Sequence, residues 1–163
     1  MASNFSSSLR IATEGIGWPL QGRIERIGDS VTASRPGTGR PHRGIDLFVP
    51  AGTDVFSAAA GLVKKIKDGR FATAAHSRRA GLYIDIEGTG GIVYRYLHLG
   101  SVFVAVGSQV GRGIRIGEVA PPYTSGAVVP HLHFEMRLGY DSSSTDGYGK
   151  PLAPDKLLPR RTA

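Results

Sequence analysis

The residues best able to do chemistry in this chain are its five histidines, His42, His76, His98, His131 and His133. Four of them sit in patterns that suit a metal site. In His42-Arg43-Gly44-Ile45-Asp46, an imidazole and a carboxylate lie close together. Both are good zinc ligands, and one segment leading into a strand can present both. Gly44 between them permits close approach of another backbone. In His131-Leu132-His133-Phe134-Glu135, strand alternation puts His131, His133 and Glu135 on one face and turns Leu132 and Phe134 into the core. Two imidazoles about 7 Å apart along a strand can serve one metal and the substrate beside it. Glu135 is placed to steady a neighbouring ligand by a hydrogen bond. In Tyr94-Arg95-Tyr96-Leu97-His98-Leu99, a histidine ends an alternating strand at the sheet edge, a usable position for an acid or base. Each pattern alone is weak, since a lone histidine is more often structural or superficial than a ligand. Together, in a chain without cysteine, they point to a metal held by imidazole and carboxylate.

The elements that must position these groups read as β structure. The chain has 163 residues, 40% hydrophobic and 20% charged, which suits one globular domain able to bury a core without disulfides. Glycine is frequent, at 23 residues, with ten prolines beside it, and helix interiors tolerate both poorly. Short apolar runs separated by these residues predict strands over 22–27, 44–48, 54–58, 61–67, 82–87, 92–98, 114–119 and 131–138. Gly88-Thr89-Gly90-Gly91 reads as a hairpin loop. Arg35 to Pro41 and Tyr140 to Lys150 read as loops. No segment sustains helical periodicity over three turns. The expected fold is mostly β, a single domain with a largely antiparallel sheet whose loops form an open substrate groove. Residues 1–16 read as a flexible N-terminal segment, 17–158 as the functional domain and 159–163 as a tail.

The three histidine motifs together resemble the lysostaphin-type zinc endopeptidases. The resemblance extends through Ala51 to Ala58 with Gly61, through Val110 to Val119, and into Pro151 to Leu158. It implies that His42, Asp46 and His133 bind one zinc ion, that His98 and His131 flank it as catalytic histidines, and that the substrates are peptide stems and cross-links of bacterial peptidoglycan. A zinc with three protein ligands keeps a position for water. The flanking histidines would then divide proton transfer and oxyanion stabilisation between them. The D-alanyl–diaminopimelate bond is the first expectation and a polyglycine bridge the second. Two segments depart from the family, Phe71 to Arg79 and Pro121 to Pro130. Both are expected to line the groove and set specificity. His76 has no family counterpart and reads as a loop histidine.

Charge adds less. A net charge of +7 favours polyanions such as anionic wall polymers. The basic residues are scattered, and Tyr94 and Tyr96 alternate faces with Arg95, so no nucleic-acid surface is expected. No run is long and apolar enough to span a membrane. The serine-rich start lacks a signal-peptide profile. That fits a phage protein, an injected effector with an immunity or delivery partner, or a trimmed secreted enzyme, each acting in the periplasm or cell wall. The alternative is an inactive relative that binds or regulates at the wall.

Overall fold

A computed structural model describes residues 15–31, 33, 41–144 and 147–161. Most of the expected flexible segment, most of the loop before His42, and part of the 140–150 loop lie outside those residues. The described elements are β1 (Arg26–Ile27), β2 (Ile45–Phe48), β3 (Asp54–Phe56), β4 (Gly61–Asp68), α1 (Ala75–Ala80), β5 (Leu82–Gly88), β6 (Ile92–Val102), β7 (Gln109–Val110), β8 (Arg115–Val119), β9 (His131–Leu138), β10 (Pro151–Leu152) and α2 (Pro154–Leu157). The strands form a ten-stranded sheet, ordered β1-β2-β9-β6-β5-β4-β7, with β10 on β9, and β8 joining β3 to β6. Every pairing is antiparallel. This is the expected mostly-β, single-domain sheet. No helix among the described residues is long and apolar enough to cross a membrane.

One face of the sheet carries the core. Ile45 and Leu47 of β2, Leu132 and Phe134 of β9, and Tyr94 and Tyr96 of β6 are fully buried on it. They recur at every second position, as a pleated strand requires. The Tyr96 hydroxyl is satisfied there by the Ala58 N–H at 2.9 Å. Burying each such side chain contributes about 1.5–3 kcal/mol, which fixes the register that sets the opposite face. The Trp18 indole N–H donates to the Pro159 carbonyl at 2.8 Å, so residues near the two ends of the described chain meet.

Several boundaries differ from the sequence reading. Only Arg26–Ile27 of the 22–27 run pairs, along the edge of β2. The 71–79 segment, where His76 was read as a loop histidine, runs into the six-residue helix α1, which is too short to show a period. The strand ending at His98 does not stop there. It continues to Val102, deep in the sheet rather than at an edge, because its second half finds a new partner in β8.

Gly44 is where two backbones meet. A Cβ there would lie 2.2 Å from the Phe134 carbonyl oxygen, which is main chain and cannot swing away. Gly44→Ala is therefore expected to destabilise the fold by about 1–3 kcal/mol, the usual cost of overpacking. Urea denaturation of the metal-free protein measures this, and an unchanged midpoint would show that β2 and β9 can separate there freely.

Candidate metal centre

Residues opposite one another in an antiparallel pair share a face. On the face away from the core, Asp46 of β2 stands opposite His133 of β9, and His133 stands opposite Leu97 of β6. One repeat further along β9, Glu135 stands opposite Arg95, which in turn stands opposite Asp85 of β5. Two polar rows therefore cross the sheet side by side. His42 joins the first row from just ahead of β2, held by its Nδ1 at 3.2 Å from the Ser30 carbonyl oxygen.

Three atoms converge at the head of the first row. Asp46 Oδ1 lies 2.7 Å from His133 Nδ1 and 3.2 Å from His42 Nε2, and the two ring nitrogens are 3.0 Å apart. Tautomers decide what this means. A carbonyl oxygen only accepts, so His42 carries its proton on Nδ1, toward Ser30. His133 Nε2 lies 2.9 Å from Glu135 Oε1, so its proton belongs on Nε2. The three facing atoms then all present lone pairs to one another. Neutral rings in this arrangement repel, and a positive charge among them removes the conflict. A tetrahedral zinc with bonds of about 2.0–2.1 Å holds its ligands about 3.3 Å apart, close to the spacing seen. Two imidazoles and a carboxylate also suit that metal.

The electrostatics agree. Burial tends to raise the Asp46 carboxyl, but His133 and His42 hold it well below the usual carboxylate range. Burial pushes the His133 imidazole down, yet Asp46 and Glu135 outweigh it and hold it up at about 9. Burial likewise opposes ionisation of Glu135, which His133, Arg95 and Arg137 keep low, at about 2. The cluster attracts a cation, proton or metal, and the two compete for the same nitrogen.

The second row supports the first. Glu135 Oε2 accepts from Arg137 at 3.2 Å, and Arg137 Nε donates to the Gly149 carbonyl at 2.8 Å. Arg95 Nε donates to Asp85 at 2.8 Å, and the Tyr148 hydroxyl donates to the other Asp85 oxygen at 2.8 Å. The 147–150 segment thus covers the charged row, while the row with His133 opens into a surface depression of about 420 Å³.

The remaining motif histidines stand at that depression. The His98 ring centroid is 4.7 Å from that of His131 and 6.1 Å from that of His133. Strict alternation would turn His98 toward the core, on the side of Tyr94 and Tyr96. A β-bulge prevents this: between paired residues, β6 spends Leu97 and His98 where β5 spends only Tyr83. His98 adopts φ of 65°, in the left-handed region, which aims its ring at the metal row. Ser125 then fixes the ring, its carbonyl oxygen lying 2.9 Å from His98 Nδ1. Burial, with His133 and His131 nearby, pushes the His98 imidazole down to about 3. The Val129 carbonyl does the same positioning for His131, 2.8 Å from its Nδ1. Both rings therefore carry their proton on Nδ1 and present Nε2 as an acceptor. His76, read as a loop histidine, lies on α1 and lines the depression together with Arg79. The sequence reading missed Ser125 because it acts through its main-chain oxygen, and missed the contributions of Arg79 and Arg137.

Comparison with known proteins agrees with this geometry. Residues 40–150 match the model of peptidase family M23. The peptidoglycan DD-endopeptidase ShyA of Vibrio cholerae is 34% identical over 96 residues, 59% of this chain and 20% of that protein. The chain spans about a fifth of the length of the curated relatives it matches. A zinc-containing peptidase from Vibrio cholerae superposes with a TM-score of 0.67 at 26% identity, over 92% of this chain and 41% of that one. The catalytic domain of lysostaphin from Staphylococcus simulans gives 0.65 at 25% identity, over 82% and 91%. The family model takes in all three converging donors and both flanking histidines, and the chain belongs to peptidase family M23.

Proposed function

We propose that the chain is a zinc-dependent endopeptidase that hydrolyses peptide cross-links of bacterial peptidoglycan. The observation that carries this is the triangle of lone pairs from His42, Asp46 and His133, with two further imidazoles turning Nε2 toward it. His42 Nε2, Asp46 Oδ1 and His133 Nδ1 would hold the zinc. Bound there, zinc supplies Lewis acidity toward a peptide carbonyl and toward water.

The protein's own groups do the rest. His98 and His131 each keep Nδ1 committed to a carbonyl, so proton exchange occurs at Nε2. The ring that accepts a proton there becomes a donor, able to pass it to the leaving amine or to steady the oxyanion. The two histidines share these tasks. Glu135 holds the His133 tautomer in which Nδ1 is the ligand atom.

The D-alanyl–diaminopimelate cross-link is the first substrate proposed, supported by the likeness to a DD-endopeptidase. A polyglycine bridge comes second. Such substrates place the activity in the periplasm or cell wall.

Zinc is expected at one equivalent per chain, and His42→Ala, Asp46→Ala or His133→Ala should each lower that sharply. Full zinc occupancy in all three variants, by elemental analysis, would remove them as ligands. His98→Ala and His131→Ala should keep near-stoichiometric zinc and lose at least about a hundredfold in turnover on defined muropeptides. Near-normal turnover in His98→Ala would take it out of the mechanism, and lost zinc in His131→Ala would make it a ligand.

A further inference from the structure

The helix α1 and the 121–130 loop are locked together beside the metal centre. Gly126 lies against the last turn of α1 so closely that a Cβ there would sit 2.4 Å from the Arg79 carbonyl oxygen and 2.5 Å from that of Arg78. The neighbouring Ser125 accepts the Leu82 N–H on its hydroxyl at 2.9 Å, which ties the same loop to the start of β5. The helix is therefore a fixed wall of the depression.

Its two adjacent arginines are used differently. Arg78 folds back onto the carbonyl oxygens of Ala72 and Thr73 and so closes the turn ahead of the helix. Arg79 is exposed and lines the depression, one turn from His76 on the same helix face. Among the described residues, the Arg79 guanidinium makes no hydrogen bond or ion pair. The carboxylates that line the depression, Asp46 and Glu135, are both engaged, by His133 and, for Glu135, by Arg137 as well. Arg43 adds a further cation to the lining. The complementary ligand group is an anion; a planar guanidinium pairs with carboxylates and phosphates, and of these a peptide offers the carboxylate.

We propose that Arg79 is a specificity-determining residue that binds a free carboxylate of the peptide substrate, beside the bond to be cut. This rests on the peptidase reading of the same site. It makes the enzyme selective between peptides whose flanking carboxyl group is free and peptides in which it is amidated.

Paired cross-linked peptides, identical except for a free carboxylate or a primary amide next to the scissile bond, test this with the zinc-loaded protein. The wild type should favour the acid about three- to tenfold in kcat/KM, as expected of a charge-assisted contact at a partly wet rim. The preference should shrink as salt rises. Arg79→Gln should abolish the preference by lowering kcat/KM for the acid more than for the amide, and Arg79→Lys should restore part of it. A wild type without preference, or an Arg79→Gln that keeps it, overturns the proposal and leaves the peptidase reading standing. If the wild type cuts neither peptide, the peptidase reading fails instead. Calorimetric binding of the same two peptides then decides the role of Arg79: tighter binding of the acid that Arg79→Gln removes supports it, and equal binding overturns it.

Discussion

Three donor atoms held 2.7–3.2 Å apart, whose lone pairs conflict unless a proton or a metal ion sits among them, are the constraint around which this molecule is arranged. Left to themselves they would separate. They stay because each is fixed by something stiffer than their repulsion. Asp46 and His133 are neighbours across a strand pair, and that register is set by Ile45, Leu47, Leu132 and Phe134 on the other face. The same side-chain period that fills the core thus aims Asp46 and His133. His42 is fixed by a carbonyl and by the close passage of Gly44 against β9.

The charged row behind these three donors is the second requirement. Glu135 is needed to set the His133 tautomer, but a buried carboxylate is costly unless its remaining oxygen is also satisfied. Arg137 satisfies it, and Arg137 in turn is anchored by the Gly149 carbonyl. Arg95, Asp85 and Tyr148 extend the row until it reaches the 147–150 segment. A satisfied network of this kind is rigid, whereas a partly satisfied one is worse than an apolar core. The 147–150 segment, part of a loop by composition, therefore also covers this row.

Much of this was legible in the sequence, and the limits have physical causes. Alternation over His131 to Glu135 places those side chains on one face without any structure, because the period of a strand is local. The pairing of Asp46 with His133 depends on residues 87 apart, and no local pattern reveals register at that range. His98 was read from its motif, but its placement at a strand end was wrong, since a bulge in mid-strand depends on how many residues the partner strand spends. Ser125 left no trace in residue type, because any residue has a carbonyl oxygen. The helix α1 has only six residues, less than two turns and too few for a period to appear. The charge row was half visible: Glu135 followed from alternation, while Arg95, Asp85 and Tyr148 meet only through tertiary packing.

The left-handed backbone at His98 has a thermodynamic corollary. A side chain with a Cβ costs roughly 1–2 kcal/mol in that conformation, and glycine pays almost none of it. The fold holds the histidine in place through the bulge and the Ser125 carbonyl, so backbone strain at this position is carried by its surroundings. Glycine there would relieve the backbone cost but forfeit the ring's hydrogen bond to Ser125 and its packing against His131. Glycine or asparagine at 98, in an otherwise intact domain, is then the mark of a copy kept for its shape.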